Sequence, residues 1–129
     1  VDGAAASRVA LAVALGFALA AGCSPSIGDE CGSSVNCDIN GTRICDTTSP
    51  GGYCTIRGCD VGTCPADESV CVAFFPDTPR LTDTFCMATC ENNADCRDGY
   101  ACFRGSDLGA VVRDGDGKKF CAVPPPPGE

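Results

Sequence analysis

Thirteen cysteines in 129 residues set the terms on which this chain can fold. Twelve of them run from Cys31 to Cys121, and they fall into three groups of four. The first is Cys31, Cys37, Cys45 and Cys54; the second is Cys59, Cys64, Cys71 and Cys86; the third is Cys90, Cys96, Cys102 and Cys121. Large apolar side chains are thin among them and tryptophan is absent. A chain of this kind buries too little apolar surface to rest on a core alone, and small exported domains meet that shortage with disulfides. Zinc is the other common reason for dense cysteine. It requires closely spaced ligand pairs backed by a second pair or by histidine, whereas this chain has no Cys-x-x-Cys and no histidine. An even set of twelve therefore reads as six bridges.

Within each group three cysteines stand close together, a loop of variable length follows, and the fourth cysteine is preceded by an aromatic residue: Tyr53, Phe85 or Phe120. A recurring ending of this sort marks an internal repeat. The expected fold class is small and disulfide-rich, mostly loops and short β-hairpins, with three tandem four-cysteine modules over 31–54, 59–86 and 90–121. The connectors are short, Thr55 to Gly58 and Met87 to Thr89. Asn40-Gly41, flanked by Asp38-Ile39 and Thr42-Arg43-Ile44, predicts a type I′ hairpin. Pro50-Gly51-Gly52 and Asp98-Gly99 predict turns ahead of Tyr53 and Tyr100. Val111–Arg113 and Lys118–Phe120 predict a hairpin around Asp114-Gly115-Asp116-Gly117. Phe74 and Phe75 are expected to form most of the core, and Asp67-Glu68 a solvated loop pair. Residues 122–129 form a proline-rich tail, with Pro124 to Pro127 extended as polyproline II.

The thirteenth cysteine belongs to a different signal. Val9 to Gly22 is an unbroken run of small and apolar residues preceded by Arg8. Its fourteen residues fall short of the ~20 that span a bilayer core, and they read as a secretory signal over residues 1–22. Leu19-Ala20-Ala21-Gly22-Cys23 resembles the lipobox of bacterial lipoproteins, with Ala20 where leucine is usual. That resemblance implies cleavage before Cys23, a diacylglycerol on its thiol, and a lipidated linker over 23–30. Ser24 after the cysteine implies the outer membrane by the family's sorting rule. Several acyl chains on one residue anchor a protein stably. Plain secretion with Cys23 as an odd thiol is the alternative.

Unit three, Cys90-Glu-Asn-Asn-Ala-Asp-Cys96-Arg-Asp-Gly-Tyr-Ala-Cys102 with its loop to Phe120-Cys121, resembles the cysteine fingers of the colipase, prokineticin and Dickkopf group. It is also similar to Cys-rich exported proteins of myxobacteria and relatives. The adjacent cysteine pair of the animal proteins is missing, so their receptor and lipase roles are not implied. What the resemblance implies is a pairing, first to third and second to fourth in each unit: Cys31–Cys45, Cys37–Cys54, Cys59–Cys71, Cys64–Cys86, Cys90–Cys102 and Cys96–Cys121. Bridges crossing between units are the alternative.

Candidate chemistry is sparse. Setting aside Asp2 and Arg8, sixteen acids stand against eight bases, which keeps an exported chain soluble and disfavours nucleic acid. Without histidine no Ser-His or Cys-His pair can form, and no carboxylate sits in an apolar stretch that would suit it to acid work. The chain is read as no enzyme, with no cofactor and no resident metal. Asp114 and Asp116 suggest a divalent cation, but Lys118 and Pro125 occupy positions where a calcium loop of the EF-hand type needs oxygen ligands. The loop from Val72 to Phe85 is the partner-loop candidate, through Phe74, Phe75, Arg80 and Leu81. Arg80 also suggests a protease-inhibitor reading. The expected function is a lipid-anchored, non-enzymatic envelope protein, held to the membrane through Cys23 and presenting stapled modules to a protein or glycan ligand.

Overall fold

The local turns account for most of the backbone. In the computed structural model the described residues are 25–77, 82–115 and 117–127. Between the first two cysteines of the first and third modules lies one short 3-10 turn, Ser34–Asn36 and Asn93–Asp95. In both, the residue just before the second cysteine folds back. Asn36 Oδ1 accepts from the Gly32 and Ser33 amides, and Asp95 Oδ2 from those of Glu91 and Asn92. Capping of this kind satisfies amide donors that a one-turn helix cannot satisfy itself. These bonds to Glu91 and Asn92 hold the Asp95 carboxyl below its ordinary value of 3.8. A carboxyl depressed by folding stabilises the native state above its unfolded pKa, and that stability fades as pH falls through the folded value. The melting temperature should therefore drop below pH ~4. Asp95→Asn should shrink the difference between scans at pH 6 and pH 3.

Among the described residues seven short strands follow from these turns: β1 (Ile44–Cys45), β2 (Cys54–Thr55), β3 (Ser69–Ala73), β4 (Thr84–Cys90), β5 (Ala101–Phe103), β6 (Val111–Val112) and β7 (Lys119–Ala122). β1 and β2 form a two-stranded antiparallel ribbon closed by the Ser49–Gly52 turn, in which the Gly52 amide bonds the Ser49 carbonyl at 2.9 Å. Pro50 and a left-handed Gly51 suit that turn. Gly52 is left-handed too, and a Cβ there would run into the carbonyl oxygen of Cys31. The Asp98-Gly99 turn is likewise present, with the Tyr100 amide on the Arg97 carbonyl at 3.0 Å.

The other five strands make one antiparallel sheet in the order β5-β7-β4-β3-β6. Six bridges staple the chain: Cys31–Cys45, Cys37–Cys54, Cys59–Cys71, Cys64–Cys86, Cys90–Cys102 and Cys96–Cys121. These are the same pairs that the cysteine-finger resemblance implies, and none crosses between modules. The fold is thus disulfide-rich, built of loops and short antiparallel strands, with no α-helix among the described residues.

The sheet nonetheless ignores the module boundaries. β4 runs through the segment Met87 to Thr89, expected as a connector, so the second module ends and the third begins inside one strand. It pairs with β3 of the second module from Ser69↔Ala88 to Ala73↔Thr84 and with β7 of the third at Thr89↔Phe120. The Thr55–Gly58 connector also lies against β4, where the Cys86 amide bonds Ile56 and the Gly58 amide bonds Thr84.

Two expected hairpins are not formed. At Asn40-Gly41 the chain does turn, with the Gly41 amide on Asp38 at 3.0 Å, but Asp38 and Ile39 belong to no strand. The Asp38 carboxylate takes the amides of Asn40 and Thr42, which a ladder would have used. Asn40 also lacks the positive φ that a type I′ turn requires. Val111–Val112 and Lys119–Ala122 are both strands, yet they do not pair with each other. β6 joins β3 at Val72↔Val112, and β7 inserts between β4 and β5. Phe120, with no exposed surface, and Cys121 are buried there, which a free hairpin would leave half in water.

The core differs from expectation in the same way. Phe74 packs against it, but Phe75 is 63% exposed; the fully buried large side chains are led by Phe120, Val70 and Val72. Glu68 is no solvated loop residue either. It pairs with Arg43 at 3.0 Å and accepts from the Ile27 amide, joining the first module to the second.

Candidate functional site

The alternation of β4 prepares one wall of a groove. Phe85 and Met87, two apart, lie on the same face of the strand. Phe74, just beyond β3, brings its ring 6.1 Å from Phe85 and 6.0 Å from Phe120, edge-on to the latter. Aromatic pairs prefer such tilted and edge contacts. Phe75 stands beside them in solvent. Leu108 and the tail residues Val123 and Pro125 also line the groove, which measures about 420 Å³. Its walls are largely apolar, with Asp46 and Asp83 at the rim.

The two acids are held by their neighbours. Burial would raise the Asp46 carboxyl, but hydrogen bonds from Thr48 and Ser49 outweigh it, and the group titrates below 3.8. Asp83 is paired with Arg57 at 2.9 Å, both groups half in solvent. What the groove offers is shape and apolar surface, the usual make-up of small-molecule and peptide sites.

A larger cleft of about 820 Å³ lies where the first module meets the third. Its centre is Arg97, whose guanidinium sits 4.5 Å from the Tyr100 ring centroid and 5.8 Å from that of Tyr53. Nη2 donates to the carbonyls of Pro50 and Gly52 and to Tyr100 Oη, and Tyr100 Oη donates to Pro50. Tyr53 Oη accepts from the Ala88 amide and donates to the Cys121 carbonyl, bridging β4 and β7. Burial pushes its phenol far up from 10. The arginine and the two tyrosines therefore latch one module onto another. Asp29, Glu30, Asp95 and Asp98 surround them and leave the cleft acidic. Size favours this cleft, and Arg97 Nη1 is buried there without a hydrogen-bond partner, but Nη2 is engaged in holding the fold, so the apolar groove is the better candidate for a ligand.

Of the partner-loop residues expected from sequence, Phe74 and Phe75 line the groove; Arg80 and Leu81 lie outside the described residues, as does the lipid-attachment candidate Cys23. Asp114 is occupied structurally, its Oδ1 accepting from the Cys71 amide at 2.7 Å, while Asp116 lies outside the described residues. In each module three sulfurs approach one another within 4.8 Å, for example Cys59, Cys64 and Cys71. All are bonded in bridges, so they offer no thiolate to a metal. Met87, Leu108 and Val123 have no local pattern that assigns them to a common wall. Arg97 and Tyr100 did carry a signal, since both stand in the Cys-Arg-x-Gly-Tyr-x-Cys stretch of unit three.

Comparison with protein-family models, with curated proteins and with solved structures returns no match to this chain.

Proposed function

We propose that this chain is an exported, lipid-anchored and non-enzymatic binding module of the cell envelope, which seats an apolar peptide segment of a partner protein in the groove beside β4. The observation that carries the reading is the groove itself: Phe74, Phe85 and Met87 form a wall held by the sheet, with Phe75 exposed at its side. A wall fixed by bridged strands loses little entropy on binding, which favours affinity. Six disulfides fit an oxidising compartment outside the cytoplasm, and the Leu19–Cys23 stretch supports an anchor in the outer membrane. The absence of histidine, together with carboxyls at Asp38, Asp46 and Asp95 that titrate low, supports a role without acid–base catalysis. The largely apolar wall suits the aliphatic and aromatic side chains of a peptide.

Selection of displayed random peptides on the folded chain tests this. Apolar peptides should be enriched, and Phe75→Asp should weaken the best of them at least tenfold with an unchanged melting temperature, since Phe75 makes little of the core. Binders whose affinity ignores Phe75→Asp, or enrichment of glycans alone on an array, would discard the groove as the site. For the anchor, mass spectrometry should find acyl mass on a peptide beginning at Cys23.

A further inference from the structure

The first module exposes aliphatic side chains at a second place. Val35 is 68% and Ile39 85% exposed, and with Pro25 and Arg43 they surround one shallow depression of about 430 Å³. Scattered exposed aliphatics are ordinary, but here they gather around one depression. Pro25 is held there: its carbonyl accepts from Arg43 Nη1 at 2.7 Å, while Arg43 Nη2 pairs with Glu68 at 3.0 Å. Cys23 is only two residues earlier, so covalent geometry keeps its Cα within about 7 Å of that of Pro25. Whatever is attached to Cys23 is therefore tethered two residues from Pro25, a member of this patch.

We infer that the Pro25, Val35 and Ile39 face of the first module lies on the membrane surface, with its aliphatic side chains in the boundary between headgroups and acyl chains. The inference rests on the anchor reading, which puts acyl chains on Cys23, and it adds which face the anchored protein turns toward the lipid. Interfacial segments bury apolar side chains ~5–10 Å into that boundary, a depth that side chains on a short tether can reach. The charges at the patch are locally partnered. The Asp38 carboxylate is folded onto the Asn40 and Thr42 amides, and Arg43 is engaged by Pro25 and Glu68. Because the chain carries a net charge of −8, contact must come from apolar burial. It should hold on zwitterionic vesicles and be insensitive to salt.

The chain has no tryptophan, so single introduced tryptophans report without background. Ile39→Trp places one in the patch. Val111→Trp places one on a surface lined by Arg104, Gly105, Ser106 and Lys118 and by no first-module residue. In the acylated chain beginning at Cys23, reconstituted into phosphatidylcholine vesicles with brominated acyl chains, emission from Ile39→Trp should fall at least twofold, and that from Val111→Trp should not change. Unquenched Ile39→Trp in a sample whose acylation at Cys23 is verified by mass would overturn the inference and leave the anchor standing. If acyl mass is absent, the anchor reading fails by itself. The Cys23 thiol coupled to a maleimide lipid then repeats the test, with quenching confined to Ile39→Trp supporting the face and equal emission from both variants rejecting it.

Discussion

Reduction and alkylation of all six bridges is expected to leave the chain unfolded in water at 25 °C. The loops that they close span 12 to 25 residues, for which the chain-entropy account gives about 3 kcal/mol each. A whole domain of ordinary size is stable by only ~5–15 kcal/mol, so losing all six removes more than such a fold has to spare. The buried sulfurs add to this. Cys54, Cys71 and Cys86 are completely enclosed, and their bridges fill space that larger chains give to leucine and phenylalanine. Removing one bridge by the double change Cys64→Ala and Cys86→Ala should cost about 3 kcal/mol, or roughly 12–24 °C in melting temperature for a domain of this size. Circular dichroism and amide dispersion in proton spectra check both expectations. A cooperative melt that survives alkylation would show that the apolar core suffices by itself.

The second large effect is expected at the aromatic residue before the last cysteine. Phe120→Ala should destabilise the chain by about 3–5 kcal/mol, the usual range for a buried phenylalanine. The ring has no exposed surface, meets Phe74 edge-on at 6.0 Å, and belongs to the strand wedged between β4 and β5. Its counterparts in the other modules occupy different environments. Tyr53 is almost as deeply buried but carries two hydrogen bonds through its hydroxyl, so Tyr53→Phe alone should be destabilising by about 1–3 kcal/mol through the unpaired Ala88 amide and Cys121 carbonyl. Phe85 is half-buried at the groove, and Phe85→Ala should cost less than Phe120→Ala. Denaturant melts of the three variants order them. Equal losses would mean that the three aromatic residues serve one repeated local role rather than three tertiary ones.

That contrast separates what was legible from what was not. The turns at Pro50-Gly51-Gly52 and Asp98-Gly99 were legible because proline and glycine restrict or widen backbone angles within a few residues of themselves. Asn40-Gly41 misled for a reason equally local: the Asp38 carboxylate competes for the amides that a hairpin would pair. Val111–Val112 and Lys119–Ala122 were legible as strands and illegible as partners. Alternation shows that a segment can lie in a sheet, but the neighbour it selects depends on which edge is free and which side chain is to be buried. The groove follows the same logic. Phe74 and Phe75 drew notice as adjacent aromatics, whereas Met87, Leu108 and Val123 join them only through the sheet and the returning tail.

The chain's composition and spacing alone determined that it is stapled, left it no histidine for a Ser-His or Cys-His pair, and grouped its twelve cysteines in fours, because these properties depend on residue type and short separations. Only the tertiary structure decided that the modules are not separate beads. β4 crosses the boundary at Met87 to Thr89, Tyr53 ties β4 to β7, and Arg97 holds the third module to the Pro50–Gly52 turn of the first. Each module closes its own bridges but exposes backbone amides and apolar faces that it cannot cover. Those unsatisfied groups pair across the boundaries and build one sheet from repeats that the cysteines alone would have left apart.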